Sequence, residues 1–399
     1  MHDPREIRPF IIDVPDGDLA DLRERLARTR RAPALAGEAG RYGVSGAWIR
    51  ELSEYWRDSY DWRTWQARLN RYPQFHTTID GTNVHFLHVR SPEPGALPLI
   101  LSHGWPGTVV EFLDVIEALT DPRRYGHDPQ VAFHLVIPSL PGFAWSGPTP
   151  DTGWGPRRIA HAWAALMDRL GYRRYGAAGN DWGSHIAPEL GRAAPDAVVG
   201  VHVTQLFSFP DGEWLSYPPT VEADHEDMTP ADRAALDGLR HLQRHAGSYA
   251  HVHAQRPDTL GFALTDSPVG LLAWNGQVLH GLDRETLLTH VTIYWLTGTA
   301  TSAMRIYAEH GRESPPPPPA PPPCPWPWPS SRTTSKQSGR TRSATTPTSC
   351  PGTPTTRAAT TQHTRRPTSS SATSAHSSPA RSSGEPRKPA PRTAEGSSD

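Results

Sequence analysis

The chain has 399 residues, in which 40 Lys and Arg side chains are balanced by 41 Asp and Glu side chains, for a formal net charge of −1. This balance gives no basic surface for nucleic acid or an acidic membrane, so we expect neither as a partner. The two cysteines, Cys324 and Cys350, offer no disulfide framework. The 20 histidines lack the paired spacing of metal ligands, and we expect no metal and no cofactor.

The first 70 residues combine a polar start with two helical regions. Residues 1–30 contain no apolar run typical of a secretory signal or membrane anchor, which predicts a cytoplasmic protein. Asp16 to Arg30 has leucines on one face, acids in its first turn and arginines in its last, and predicts a helix. Ser45 to Leu69 predicts a second helical region, whose many Trp and Tyr residues indicate packing against a larger body.

Beyond residue 70, strand and helix signals alternate. Residues 75–89 predict a hairpin that turns at Asp80-Gly81, a favoured pair for tight turns. Further strands are predicted at 97–102, 131–138, 173–178 and 198–203, and helices at 108–119, 156–170 and 182–192. This order predicts a mostly parallel sheet covered by helices on both faces. From 206 to about 301 the pattern is helical, notably at 230–245 and 284–295.

The most informative stretch is Gly179-Asn180-Asp181-Trp182-Gly183, which lies between a predicted strand and a predicted helix. Small residues flanking a central nucleophile at this spacing are typical of a nucleophile elbow, where the turn is too sharp for larger neighbours. The central residue here is aspartate instead of serine. We therefore predict that Asp181 is presented to a pocket at the end of the sheet.

An aspartate nucleophile restricts the chemistry. Its unperturbed pKa of about 4 leaves it ionised at neutral pH, so it needs no base in order to attack. Attack on an amide or ester carbonyl would give an anhydride, whereas attack on an sp³ carbon gives an ordinary alkyl ester. The residue type therefore favours epoxides or haloalkanes as substrates.

A second motif supports this interpretation. The predicted strand at 97–102 ends in His103-Gly104-Trp105-Pro106-Gly107, a tight glycine-containing loop. Backbone N–H groups of such a loop, here that of Trp105, can converge with the N–H of Trp182 on an oxyanion. The two motifs together predict an α/β-hydrolase fold.

The sequence resembles the α/β-hydrolase-fold epoxide hydrolases of the microsomal and juvenile-hormone type, over residues 8 to about 310. The resemblance rests on the two motifs above and on five more, which are Arg8-Pro9-Phe10, Pro138 to Phe143, Arg256 to Thr259, Asp266 to Leu271 and Tyr294 to Thr299. It implies a helical lid, an N-terminal segment that wraps the core and lid, and hydrolysis of a small or medium hydrophobic epoxide with water. It also implies roles in aromatic compound catabolism and detoxification.

The resemblance further implies that two lid tyrosines hold and protonate the epoxide oxygen, at the positions of Tyr249 and Tyr307. A phenol suits this role, because its pKa of about 10 keeps its proton available at neutral pH. A haloalkane dehalogenase would instead bind halide through N–H donors, for which Trp105 and Trp182 are candidates. The lid aromatics Trp274 and Phe262 are candidates for an apolar pocket or for the core. The sequence leaves the oligomeric state open, and a homo-oligomer is compatible with it.

The sequence suggests five segments. They are an N-terminal epoxide hydrolase segment (1–92), an α/β-hydrolase core (93–205), a helical lid (206–301), an incomplete return to the core (302–313) and a tail (314–399). After Tyr307 the chain has no Ile, Leu, Val, Met, Phe or Tyr. We therefore expect an incomplete sheet and a disordered tail.

The tail lacks the catalytic histidine and acid that the resemblance implies, so no general base can be identified and the second reaction step should be impaired. A third hypothesis is therefore a non-catalytic remnant or a binding protein, whose Pro-rich tail engages partners as polyproline II.

The odd alternation of Pro and Trp after Cys324 indicates a shifted reading frame. With permissible codons, a step back of one nucleotide converts Cys324 to Ser335 into Val-Pro-Met-Ala-Val-Ala-Val-Phe-Pro-Asp-Asp-Phe. The same step converts Ser343 to His363 into Glu-Arg-Asp-Tyr-Ala-His-Ile-Val-Ser-Trp-Asn-Thr-Tyr-Asp-Ala-Gly-Gly-His-Tyr-Ala-Ala. These segments contain an apolar strand, acids and a Gly-Gly-His motif, in the order that an α/β hydrolase needs. The slip would lie in the proline run 315–323.

Overall fold

The structure is a computed structural model. It describes residue 3 and residues 5–33, 40–205, 229–231, 233–234, 237–238 and 247–313. All of them belong to the first of two units of the chain, Met1–Pro316. Most of the predicted helix at 230–245, the first part of the predicted lid and the whole predicted tail lie outside the described residues, as does the predicted frame change.

The described strands form one mixed sheet in the order β1-β2-β3-β5-β4-β6-β7. The first three strands and β5 pair antiparallel, whereas β5, β4, β6 and β7 pair parallel. The strands are β1 (Arg8–Phe10), β2 (Gln74–Ile79), β3 (Thr82–Val89), β4 (Leu97–Ser102), β5 (Phe133–Pro138), β6 (Tyr175–Gly179) and β7 (Val198–Val203). The predicted α/β-hydrolase fold is thereby confirmed. The loops that follow β4 and β6, in its parallel half, contain the two predicted motifs.

Helices precede, connect and follow these strands. They are α1 (Asp16–Ala27), α2 (Gly46–Asp58), α3 (Trp62–Leu69), α4 (Leu113–Thr120), α5 (Pro156–Arg169), α6 (Trp182–Ala193), α7 (Ser248–Gln255), α8 (Pro257–Asp266), α9 (Pro268–Leu279), α10 (Arg284–Thr297) and α11 (Ala300–His310). The predicted helical region 45–69 is two helices, because Asp61 begins a new one by accepting a hydrogen bond from the backbone N–H of Arg63.

The predicted hairpin at Asp80-Gly81 is present. Both residues have positive φ, 48° for Asp80 and 76° for Gly81. Two central residues with positive φ twist the chain in the sense that joins adjacent strands, which explains why an Asp-Gly pair stands here. The register pairs Ile79 with Thr82 directly across this turn.

The N-terminal helices pack against α10. The Tyr60 hydroxyl lies 2.9 Å from Oγ1 of Thr289, and Trp65 donates its indole N–H to Glu285 at 3.3 Å. On the opposite side of α10, Tyr294 donates its hydroxyl to the backbone carbonyl of Gly107 at 2.9 Å. The N-terminal segment is thus connected through one buried helix to the loop after β4.

The sheet ends at β7 within the part of the chain that the structure describes. There β7 pairs with β6, on the side away from β4. Val199 and Val201 on β7 remain 45% and 43% exposed. A strand edge with exposed valines can pair with further chain. Among the described residues, the far edge of β7 therefore has no partner strand.

Candidate active site

The nucleophile elbow is built as the glycine spacing requires. β6 ends at Gly179, α6 begins at Trp182, and Asp181 between them has φ 50° and ψ −121°. A Cβ on Gly179 would lie 2.3 Å from the backbone of Gly183, and one on Gly183 would lie 1.9 Å from the carbonyl oxygen of Ser102. A larger residue at either position would therefore clash with the neighbouring backbone and displace the elbow.

Two backbone N–H groups hold one oxygen of the aspartate. Trp105 donates to Oδ1 of Asp181 at 2.9 Å, and Trp182 donates to the same atom at 2.8 Å. A Cβ on Gly104 would stand 2.0 Å from this oxygen and 2.4 Å from Cβ of Asp181, so a glycine is required for the approach. The described residues form no hydrogen bond to Oδ2, so the two oxygens of the carboxylate have different surroundings.

The carboxyl group of Asp181 is harder to ionise than the sequence suggested. Burial raises its pKa to about 6, while the hydrogen bonds from the Trp105 and Trp182 N–H groups oppose the rise. The group is therefore mostly ionised at pH 7, and it becomes protonated well above the ordinary pKa of an aspartate, about 4.

The two predicted tyrosines lie together above this aspartate's loop. Tyr249 lies on α7 and Tyr307 on α11, with ring centroids 6.1 Å apart. Trp105 stacks on Tyr249 at 5.0 Å, and Trp182 meets Tyr307 edge-on at 4.6 Å. The structure thus brings the two tyrosines together with Trp105 and Trp182, whose backbone N–H groups hold Asp181.

Both phenols keep their protons at neutral pH. Burial raises the pKa of Tyr249 to about 12, and the negative charge of Asp181 adds to the rise. Burial also raises the pKa of Tyr307 well above its ordinary value, again with a contribution from Asp181. The two groups can therefore act as hydrogen-bond donors and as proton donors to a stronger base.

Sequence reasoning missed three residues that support the elbow and the loop. Glu111 accepts a hydrogen bond from Nδ2 of Asn180 at 2.5 Å. Gln205 accepts one from the backbone N–H of Asp181 at 3.0 Å. Tyr294 holds the loop carbonyl described above. Each forms its hydrogen bond with a residue at least 24 positions away in the chain. The signals in the sequence were an acid at the start of the helical region that follows the loop and the place of Tyr294 in a family motif, and neither indicated these contacts.

The lid aromatics have separate environments. Trp274 donates its indole N–H to Nε2 of His253 at 2.8 Å, and the His253 ring lies 4.5 Å from Trp105 and 4.9 Å from Tyr307. Burial lowers the pKa of His253 to about 3, so the imidazole ring is neutral at pH 7 where it packs against Trp105 and Tyr307. Phe262 is 81% exposed, which makes it a surface residue and not part of the core.

No described histidine hydrogen-bonds to Asp181. His185 and His310 lie beside Trp182, with ring centroids 5.2 Å and 5.4 Å from it. His103 is occupied, because its ring bonds the carbonyl of Gly104 and accepts the N–H of Leu140. Within the described ranges, no three His, Cys, Asp or Glu side chains are grouped to hold a metal.

Comparisons with known proteins agree with this geometry. A family model described as "Epoxide hydrolase N terminus" matches residues 7–112, and one described as "alpha/beta hydrolase fold" matches residues 98–259. A "Putative epoxide hydrolase" of Stigmatella aurantiaca is 41% identical over 315 residues, which are 76% of this chain and 69% of that protein. Epoxide hydrolase 1 of Sus scrofa is 34% identical over 337 residues, 76% of this chain and 72% of that protein.

Solved structures show the same relationship. The Aspergillus niger epoxide hydrolase superposes with a TM-score of 0.65 at 32% identity, covering 76% of this chain and 78% of that one. The juvenile hormone epoxide hydrolase of the silkworm Bombyx mori superposes with a TM-score of 0.63 at 31% identity, covering 76% of both chains.

The sheet order and the strand-turn-helix at Asp181 define an α/β-hydrolase-fold enzyme. Within that class, the chain belongs to the epoxide hydrolase family, whose members are hydrolases that act on ether bonds. None of the described helices has the length and apolar character needed to cross a membrane.

Proposed function

We propose that the protein opens a hydrophobic epoxide by attack of Asp181. The observation that carries this proposal is the asymmetry of the carboxylate, whose Oδ1 accepts two backbone N–H groups while Oδ2 accepts none from the described residues. Oδ2 forms a bond to a ring carbon, and the C–O bond of the ring breaks. A proton passes from Tyr249 or Tyr307 to the departing oxygen, giving a hydroxyalkyl ester of Asp181. The resulting phenolate regains its proton from water.

The substrate class follows from the walls of the site. The rings of Trp105, Trp182, Tyr249 and Tyr307 form one stacked and three edge-on contacts, with centroid distances of 4.6 to 6.1 Å. Such a surface favours an apolar or aromatic substituent on the epoxide. On the basis of this preference, we propose a part in aromatic compound catabolism or detoxification.

The second step would release a vicinal diol. Water attacks Cγ of the ester, negative charge develops on Oδ1, and the N–H groups of Trp105 and Trp182 stabilise it. This attack needs a general base, whose loss typically costs about 10² to 10⁴ in rate. The 399-residue sequence supplies no recognisable histidine for this role, so we expect turnover to stall at the ester.

We further propose that the missing base is encoded in the overlapping frame. The exposed edge of β7 supports this proposal, because Val199 and Val201 are placed to pair with or pack against an additional apolar strand. The alternative frame supplies such a strand from the codons of Cys324 onward. It also supplies a histidine whose codon spans Ala359 and Thr360. In that frame, the codons of the fifth segment, 314–399, would encode the last part of the α/β-hydrolase core instead of a tail.

One observation favours a second candidate, a haloalkane-dehalogenase-like reaction. The indole Nε1 of Trp182 is buried beside Tyr307 and forms no well-aligned hydrogen bond with any described residue, which makes it a candidate donor to a halide. The two candidates differ in their need for a phenol. An epoxide reaction that depends on Tyr307 would exclude the dehalogenase mechanism.

The proposal can be tested by rapid mixing of the full chain with styrene oxide while tryptophan fluorescence is recorded, since Trp105 and Trp182 flank the reacting carboxylate. We expect a single exponential change that reaches a plateau once every Asp181 carries the ester. Asp181→Ala should abolish it, while circular dichroism confirms that the variant is folded. A signal of equal size in the variant would exclude Asp181 as the nucleophile.

A further inference from the structure

Glu111 connects the two loops that build the site. It lies in the short 3-10 turn Val109–Phe112 that follows the glycine loop. Its Oε2 accepts a hydrogen bond from Nδ2 of Asn180, the residue before the nucleophile. Its Oε1 occupies the space where a Cβ on Gly107 would stand, at 1.4 Å. One carboxyl group therefore contacts both the glycine loop His103 to Gly107, here called the oxyanion loop, and the nucleophile elbow Gly179 to Gly183.

Glu111 and Asp181 form a pair of acids that carries a single charge at neutral pH. Burial raises the pKa of Glu111 to about 8; the negative charge of Asp181 adds to the rise and the Asn180 amide opposes it. The pKa of Asp181 is about 6. Between these values Asp181 is ionised and Glu111 is neutral, as expected when two carboxyl groups share a buried site.

The other titratable groups around this pair do not change charge near pH 8. Tyr294, which donates its hydroxyl to the loop, has a pKa raised well above 10 by burial. His103 on the loop has a pKa lowered to about 4, and His290 on α10 has a pKa lowered to about 3, in both cases mainly by burial. Of these groups, Glu111 alone ionises just above neutral pH.

We propose that Glu111 is a positioning residue which, in its neutral form, fastens the oxyanion loop to the elbow and so keeps Asp181 aligned for attack. This inference rests on the proposed function of Asp181. When Glu111 ionises, two negative charges stand in a site with little solvent, and such a pair is relieved by separation and entry of water. Separation would move the Trp105 N–H away from Oδ1, so ester formation should slow above pH 8.

A kinetic test compares Glu111→Gln with Glu111→Ala in the full chain, using the styrene oxide fluorescence signal. Glutamine keeps an acceptor for Asn180 without a charge, so we expect at most a few-fold loss at pH 7 and no decline above pH 8. Alanine removes the contact, and we expect a loss of about tenfold or more. Glu117→Gln, which neutralises an acid on the neighbouring α4, should retain the alkaline decline. An unchanged decline in Glu111→Gln, or a normal rate in Glu111→Ala, would overturn the proposal.

A stability measurement separates this inference from the reaction itself. The folded-state pKa of Glu111 is raised above its unfolded value, so the folded state loses stability as pH rises from about 4.3 to about 8. Glu111→Gln lacks this loss. The melting temperature of the variant relative to the original chain should therefore increase with pH up to about 8 and then level off. A difference that is independent of pH would contradict a neutral Glu111, whether or not Asp181 reacts with epoxides.

Discussion

Oδ1 of Asp181 lies 2.9 Å from the backbone nitrogen of Trp105, a residue 76 positions earlier in the chain. This hydrogen bond sets the orientation of the carboxylate, because it fixes one oxygen while the other, which we propose as the attacking atom, accepts no hydrogen bond from the described residues. It is also the contact that would hold the negative charge during ester hydrolysis.

The tyrosines should contribute to ring opening through their protons. Tyr307→Phe and Tyr249→Phe keep the ring contacts but remove the proton, so each should slow ester formation, and the double variant by about 10² or more. Rapid-mixing fluorescence with styrene oxide measures the rate. Tyr42→Phe is a matched control, since Tyr42 is 76% exposed. A double variant as fast as this control would exclude proton donation by the pair.

The rate of ester formation should fall in acid because Asp181 becomes protonated. Its pKa is raised to about 6, and only the ionised form attacks, so the rate falls as pH decreases through 6. Below that value the rate should fall about tenfold per pH unit, because the carboxylate fraction does. Single-turnover rates between pH 4.5 and 7.5, with folding monitored at each pH, would give the midpoint. A midpoint near 4 would mean that the carboxyl group is as solvated as in a peptide.

Gly104 should not tolerate a side chain. A Cβ there would stand 2.0 Å from Oδ1 and 2.4 Å from Cβ of Asp181, so Gly104→Ala must displace the loop or the nucleophile. We expect at least a 10²-fold loss of ester formation, since a displacement of about 1 Å near the reacting groups has an effect of this order. Gly95→Ala is the control, because nothing lies within 4 Å of its added Cβ. Equal rates in the two variants would contradict the described approach of loop and elbow.

The local geometry of the site was readable from the sequence because steric rules fix it. Gly179 and Gly183 flank Asp181 for the reason that their spacing suggested, namely contact with the neighbouring backbone. The hairpin at Asp80-Gly81 was found in the same way, from residues that accept positive φ.

Long-range contacts could not be read in this way. The hydrogen bond between Glu111 and Asn180 joins residues 69 positions apart, and the sequence shows only an ordinary acid at the start of a helix. The raised pKa of Asp181 results from burial, which depends on tertiary packing that the local sequence does not show. The break between α2 and α3 was missed because the aromatic pattern continues across the cap at Asp61.

The proposed frame change should be visible in the gene. Sequencing across the codons for Ser314 to Cys324 should show an extra or missing C relative to the frame that encodes this chain. The protein from the restored frame should release diol with many turnovers, because it gains the histidine. A gene sequence that encodes the present 399 residues would refute the proposed frame change. The chain would then be limited to one alkylation of Asp181.

The central claim is that Asp181 forms a covalent ester, and intact-mass spectrometry after exposure of the folded chain to styrene oxide tests it most directly. We expect a gain of one epoxide mass per chain, which peptide mapping assigns to the Gly179–Gly183 elbow and which Asp181→Ala lacks. A folded chain that remains unmodified, or an adduct on another residue, would contradict the account.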